Sequence, residues 1–264
     1  MTILKTCGLL LTLLAANAAS ANESTMKELA PTGKLRVALV FAPSPGAFFV
    51  LKQADGTPNG VTADLAAALA KKHGLPVEYV LFPNSGLATD ATESGAVDVS
   101  FMPVDEERKR RIAFGPAYVQ AESTYMVTGA TGAKTVADVD KPGMRVIGIA
   151  NTTTIRAAGR TLKNTTISPV PSVEEAVVAM RDGKADAFAL SRDTLPTYVK
   201  QVPGSLMVDG AFQQINVSIA VAKGKPASLA AVTEFLKEAK QSGLVRQVFD
   251  KHGLADAKVA PMSE

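Results

Sequence analysis

The sequence is poor in residues on which much protein chemistry depends. It has one cysteine and two histidines in 264 residues, which excludes a disulfide scaffold and argues against a protein-ligated zinc or thiol centre. Neither sign of charge dominates: 28 Lys+Arg face 25 Asp+Glu, for a formal net charge of +3. The clustered basic excess by which proteins hold nucleic-acid phosphates is absent, so no nucleic-acid partner is expected. No apolar run reaches the ~20 residues of a membrane-spanning helix. The catalytic signatures Gly-x-Ser-x-Gly and His-Glu-x-x-His are missing too. In Gly129-Ala130-Thr131-Gly132-Ala133-Lys134-Thr135 the last glycine and the lysine are not adjacent, so it is no phosphate loop. What remains is an ordinary globular composition, 47% hydrophobic and 20% charged. That excludes intrinsic disorder and suits one large domain or two medium ones.

The first residues carry one positive charge, an apolar run over 7–16 and the small residues Ala19-Ser20-Ala21. This is the pattern of a secretory signal peptide over 1–21, cleaved after Ala21. Cleavage would remove Cys7, the chain's cysteine, and leave a thiol-free exported protein. Beyond a polar leader the chain alternates strand-like and helix-like stretches. Leu35-Arg36-Val37-Ala38-Leu39-Val40-Phe41 reads as a buried strand, 62–73 as an amphipathic helix, and Ser172-Val173-Glu174-Glu175 as the start of another running to 182. His73 and His252 both stand in Lys-His-Gly-Leu at helix ends, where the backbone turns out of the helix and the ring meets the negative pole of the dipole. Both are expected to be structural.

Two local designs recur. Gly33-Lys34-Leu35-Arg36-Val37 is echoed by Gly143-Met144-Arg145-Val146, and Gly95-Ala96-Val97-Asp98 by Gly183-Lys184-Ala185-Asp186. The chain therefore reads as two α/β units of similar construction. The last stretch, a strand over 215–222 and helices over 228–242 and 245–252, has too few strands for its own sheet. It is expected to return to the first unit. This gives lobe 1 as 22–121 plus 216–264 and lobe 2 as 122–215, with crossings near 118–123 and 213–217.

Ligands of parallel α/β sheets bind beyond the carboxyl ends of strands. That rule selects four loops, 42–49, 103–111, 151–154 and 191–193. Arg108 is suited to grip a carboxylate with two parallel hydrogen bonds. The competing reading of the run Glu107-Arg108-Lys109-Arg110-Arg111 is a solvated charged face. Thr152 and Thr153 offer hydroxyls and N–H groups at a helix start, either for an anion or simply to cap the helix.

The motifs above, with Asp55-Gly56, Gly60, Asp64-Leu65, Glu107-Arg108 ahead of Phe114, and Asn151-Thr152-Thr153, occur in an order and spacing that resembles the amino-acid type of bacterial extracellular solute-binding protein over about 33–254. The resemblance implies a periplasmic receptor of an ABC importer: two α/β lobes, two hinge crossings, and a cleft closing on a small-molecule ligand, with an inner-membrane permease as partner. It implies a monomer, no enzyme activity, and no cofactor or metal. It assigns the ligand carboxylate to Arg108, with help from Thr152 and Thr153 across the cleft, and an aromatic wall to Phe41 or Phe48. Where the family has an aspartate for the ligand amine this chain has Ser191, with Asp193 two residues on, and Pro103 stands where a hydroxyl residue is common. The carboxylate half of amino-acid recognition is therefore expected to persist, while the amine half is weakened. A periplasmic dehydratase acting on cyclic carboxylates is an alternative on the same fold, with Asp105 and Asp193 as its candidate acids. A receptor feeding a membrane sensor is a third reading.

Overall fold

The computed structural model of the protein describes residues 25–262; the expected signal peptide, 1–21, and Cys7 within it lie outside them. Along the chain, β1 (Leu35–Val40) is followed by a two-stranded ribbon, β2 (Leu51–Lys52) and β3 (Pro58–Asn59). Then come β4 (Val77–Phe82), β5 (Val99–Pro103), the long β6 (Ile112–Thr128), β7 (Val146–Ile149), β8 (Ile167–Val170), β9 (Ala187–Ser191), β10 (Ser205–Met207) and β11 (Gln213–Ala222). Helices fill most of the intervals. The main sheet runs β4-β1-β5-β11-β6-β9-β7-β8, with β10 beside β6.

That order is a mirrored repeat. Three parallel strands, β4, β1 and β5, are closed by antiparallel β11, and three parallel strands, β8, β7 and β9, are closed by antiparallel β6. The two long strands pair with each other, Gln213 opposite Ser123 and Val217 opposite Val119. The returning last stretch joins as expected, β11 lying against β5. The sequence reading named neither β4 nor β8, the edge strands of the two sets. Neither alternates apolar and polar residues cleanly along its length, which hides a strand from a period-two pattern.

The recurring motifs are one physical device used twice. Asp98 accepts hydrogen bonds from the Arg36 backbone N–H (2.8 Å), Nε (3.1 Å) and Nη2 (2.7 Å), while Nη2 also reaches the Gly95 carbonyl. In the second set Asp186 accepts from the Arg145 backbone N–H (2.9 Å), Nε (2.9 Å) and Nη2 (2.6 Å), and Nη1 reaches the Gly183 carbonyl. Gly95 and Gly183, at φ +73° and +68°, end the preceding helices in a conformation that costs a side-chain-bearing residue energy. The turn then delivers the aspartate to the start of β5 or β9. Each clamp thus ties a helix end, the first strand and the third strand at one point.

The two Lys-His-Gly-Leu segments are matching helix ends. His73 terminates the helix Val61–Lys72, with Leu75 N–H bonded to Ala70 O and Gly74 N–H to Lys71 O. His252 terminates Leu244–Lys251 in the same way, through Leu254 to Phe249 and Gly253 to Asp250. The His252 ring also lies 2.8 Å from Asp64 and so pins one helix to the other. The helix Val61–Lys72 buries Val61, Leu65, Ala66, Leu69 and Ala70, each large side chain contributing about 1.5–3 kcal/mol.

The clamps differ in burial, and stability should follow. Asp98 is 2% exposed; the side chains of Arg145 and Asp186 are 53% and 21% exposed. We expect Asp98→Asn to lose about 3–5 kcal/mol in urea denaturation, because it leaves a cation facing an uncharged buried amide. Asp186→Asn should lose about 1 kcal/mol. The Arg145 hydrogen bonds hold the Asp186 carboxyl below the usual carboxylate range. Its contribution is complete above about pH 4 and is lost as pH falls through the depressed folded value. Asp186→Asn should therefore flatten the acid limb of the stability curve.

Candidate functional site

The carboxyl ends of both parallel sets converge on one enclosed cavity. Phe48 and Phe49 come from the loop after β1, Pro83, Asn84 and Ser85 from the end of β4, and Pro103 from the end of β5. Across from them stand Ile149 and Thr152, Thr153 and Thr154 after β7, Val173 after β8, and Ala189, Leu190 and Ser191 on β9. Ala121 and Ser123 of β6, with Ile215 and Val217 of β11, complete the wall. Every one of these side chains is apolar or neutral polar. The cavity has a volume of ≈ 40 Å³.

Arg108 stands one layer behind that wall. The helix Glu106–Arg111 begins at Asp105, whose carboxylate accepts from the Arg108 backbone N–H at 3.0 Å. The Arg108 side chain is wholly buried. Its Nη1 donates to the Pro103 carbonyl (2.9 Å) and its Nη2 to Ser85 Oγ (2.6 Å), both on wall residues, and more distantly to the Asn151 carbonyl (3.5 Å). Nε is buried without a hydrogen-bond partner. Burial, aided by the nearby charge of Arg156, pushes its pKa down to about 10, so it stays protonated at neutral pH. The arginine is not part of a solvated charged face.

Thr152 spends its hydroxyl locally: it caps the helix Thr153–Thr161 by accepting from Ile155 N–H (3.2 Å) and donates to the Ile149 carbonyl (2.8 Å). The cap reading therefore holds for this hydroxyl. Thr153 is buried on the wall. Ser191 is on the wall as well, its Oγ 3.1 Å from Thr194 Oγ1. Phe48 is there; Phe41 is not, being bridged to Val50 at the end of β1. Asp193 is also off the wall. Its carboxylate accepts from the Ala47 N–H at 2.8 Å, in the first-half loop. The sequence reading grouped Phe41 and Asp193 with the site; neither is among the wall residues of this cavity.

The wall residues missed include those after the unrecognised strands, Asn84, Ser85 and Val173. The signal for the first was present. Asn84-Ser85-Gly86 directly follows an apolar stretch, and Asn84 caps the helix Ser85–Glu93 by accepting from Leu87 N–H (3.0 Å) while its amide donates to the Pro171 carbonyl (3.2 Å).

Further bonds join the two sets around the cavity. Arg156 grips Asp105 through Nε (2.8 Å) and Nη2 (2.5 Å), and Ser44 meets Tyr198 and Thr197. Two backbone approaches are close. A Cβ on Gly46 would lie 2.5 Å from Thr194 Cγ2, and one on Gly86 2.5 Å from Asn151 Cβ.

Comparison with known proteins agrees with this geometry. The model of "Bacterial extracellular solute-binding proteins, family 3" matches residues 40–255. The chain belongs to this family. It is 25% identical over 212 residues to a glutamine-binding protein of Geobacillus stearothermophilus, covering 77% of this chain and 78% of that one. Among solved structures, a mutant of ArgBP from T. maritima superposes with a TM-score of 0.76 at 25% identity, covering 87% of this chain and 99% of that one. AncCDT-1, an ancestral amino acid-binding protein and precursor of cyclohexadienyl dehydratase, superposes with a TM-score of 0.75 at 29% identity, covering 86% and 98%. The family resemblance and the mixed α/β fold read from the sequence are thereby established.

Arg108 is a buried charge held by neutral groups, and a buried ion without a counter-ion costs several kcal/mol. Losing the two neutral hydrogen bonds costs about 1–3 kcal/mol per group left unpaired. We expect the first quantity to win, so Arg108→Met should match or exceed the native chain in ligand-free Tm. A loss of stability in urea greater than about 2 kcal/mol would show that the arginine is primarily structural.

Proposed function

We propose that the protein is the periplasmic receptor of an ABC importer, exported by residues 1–21, and that it captures a small carboxylate-bearing solute and presents it to an inner-membrane permease. The observation that carries this reading is a cavity shared by the strand ends of both sets and backed by a buried arginine with an uncommitted N–H. The glutamine-binding relative supports a solute of amino-acid or amino-acid-like kind. In this reading Arg108 supplies the positive field and a free donor for the carboxylate. Thr153 and the neighbouring helix start face it from the opposite set, Phe48 packs on the solute body and Ser191 offers a hydroxyl.

Binding works by hinge closure between lobe 1 (22–121 plus 216–264) and lobe 2 (122–215), about the paired strands β6 and β11. The closed form is held by the Asp105–Arg156 and Ala47–Asp193 bonds, and a solute touching both lobes stabilises it further. An acid–base dehydratase on this fold is disfavoured, because the wall offers no ionisable side chain to hold or move a proton.

Two measurements test the reading. In a thermal-shift screen of residues 22–264 against small carboxylates, amino acids, amines and sulfonates, a carboxylate at about 1,000 times its Kd should add about 4 kcal/mol. That corresponds to roughly 8–16 °C in Tm. The shift should vanish in Arg108→Met; a shift that survives places the carboxylate elsewhere. Closure is tested by Gly46→Ala and Gly86→Ala, whose new methyl groups meet the opposite lobe. Solution scattering should record a larger radius of gyration for both at saturating ligand, with affinity weakened about tenfold or more. Unchanged scattering and affinity would remove hinge closure from the mechanism.

A further inference from the structure

We infer that the solute is a short aliphatic monocarboxylate that carries no ammonium group. This rests on the receptor reading and narrows it. Three observations lead to it, beginning with charge. The Arg108 guanidinium is hydrogen-bonded to two wall residues, and no wall residue is ionisable. Asp105 (2.5 Å) and Glu107 (3.5 Å) are ion-paired with Arg156, and the Asp193 carboxylate is turned off the wall to the Ala47 N–H. An α-ammonium entering this space would exchange its hydration for neutral groups and a cation of its own sign. An anion gains that same cation, together with the positive end of the helix Thr153–Thr161.

Ser191 makes the bias local. It lies on the wall where β9 ends, and its hydroxyl is within 3.1 Å of Thr194 Oγ1. A hydroxyl so engaged can accept a hydrogen bond but cannot neutralise a charge.

The apolar lining is the third observation. Phe48, Phe49, Val173, Leu190 and Val217 crowd the space with apolar surface, which suits a short alkyl tail and excludes a long polar one.

The experiment compares each acid with its α-amino counterpart by titration calorimetry on residues 22–264: acetate with glycine, propionate with alanine, butanoate with 2-aminobutanoate. Glutamine and arginine serve as large probes. The desamino acid should bind about 100-fold or more tightly than its amino partner, and glutamine and arginine should not bind. Ser191→Asp should reverse the preference within each pair by introducing the missing counter-ion. The native ratio tests the inference even where that variant fails to fold. Alanine binding within tenfold of propionate, or tight binding of glutamine or arginine, overturns it and leaves the receptor reading standing. Failure of all three desamino acids to bind at about 10 mM also overturns it. If only uncharged or cationic solutes bind, the carboxylate assignment falls with it.

Discussion

The structure depends on the arginine–aspartate clamp at the amino-terminal edge of each parallel set. In both sets one arginine, at the start of the first strand, meets one aspartate, just before the third, through a backbone and two side-chain hydrogen bonds. The same guanidinium takes the carbonyl of the turn glycine that ends the intervening helix. Three elements are thus fixed at the end of the sheet opposite the cavity. Because the strands are parallel, fixing one end sets the stagger of the other. The loops at the carboxyl ends can then vary in sequence while their points of departure stay put, which is how a fold accommodates different ligands on one frame.

The pairing of β6 with β11 carries that order from one set to the other. Their register places Ser123 opposite Gln213, and the Gln213 side chain accepts from Ser123 Oγ (3.1 Å) while its amide lies 3.5 Å from the Thr153 carbonyl. A strand pair at the centre of the sheet therefore touches the helix start that lines the cavity. Around it the approach of the two sets is limited by backbone. Gly46 and Gly86 leave room that a single methyl group would take away, and Asn151, in the left-handed region at φ 58°, presents its carbonyl toward Arg108. Asparagine is among the side-chain-bearing residues that adopt this conformation most readily. Shape at these few points decides how tightly the two sets meet.

Much of this was legible in the sequence because it is local. The Lys-His-Gly-Leu ends, the cap at Ser172 and the paired Gly-x-x-Asp turns are short patterns whose chemistry acts within a few residues. Even the resemblance between the two units was visible before its cause, since the sequence displays the repeated arginine and aspartate without revealing that they meet. The strand-end rule located Thr152, Thr153, Ser191 and Phe48 on the wall. What escaped was decided by distance in three dimensions. Asp193 is two residues from Ser191, but the loop after β9 carries its carboxylate to the Ala47 N–H. Phe41 belongs to the right segment, yet it is Phe48 and Phe49 of that segment that line the wall. The strands β4 and β8 lacked a clean alternation, so the loops they aim, and Asn84 and Ser85 with them, were lost as well.

The arginine and the serine are best understood together. A binding site for a zwitterion needs two opposite charges at a fixed separation, and each stabilises the protein against the other's burial when no ligand is bound. In the proposed site the second of the pair is replaced by the neutral Ser191. Arg108 remains charged in a wholly buried position, its guanidinium bonded to a carbonyl and a hydroxyl, with its Nε–H unpartnered. The energy stored in that arrangement is recovered by whatever brings a negative charge to it, and a ligand's own positive charge would reduce the gain. On the proposed reading, selectivity against ammonium needs no steric barrier. It follows from leaving a buried cation without its counter-ion on the protein.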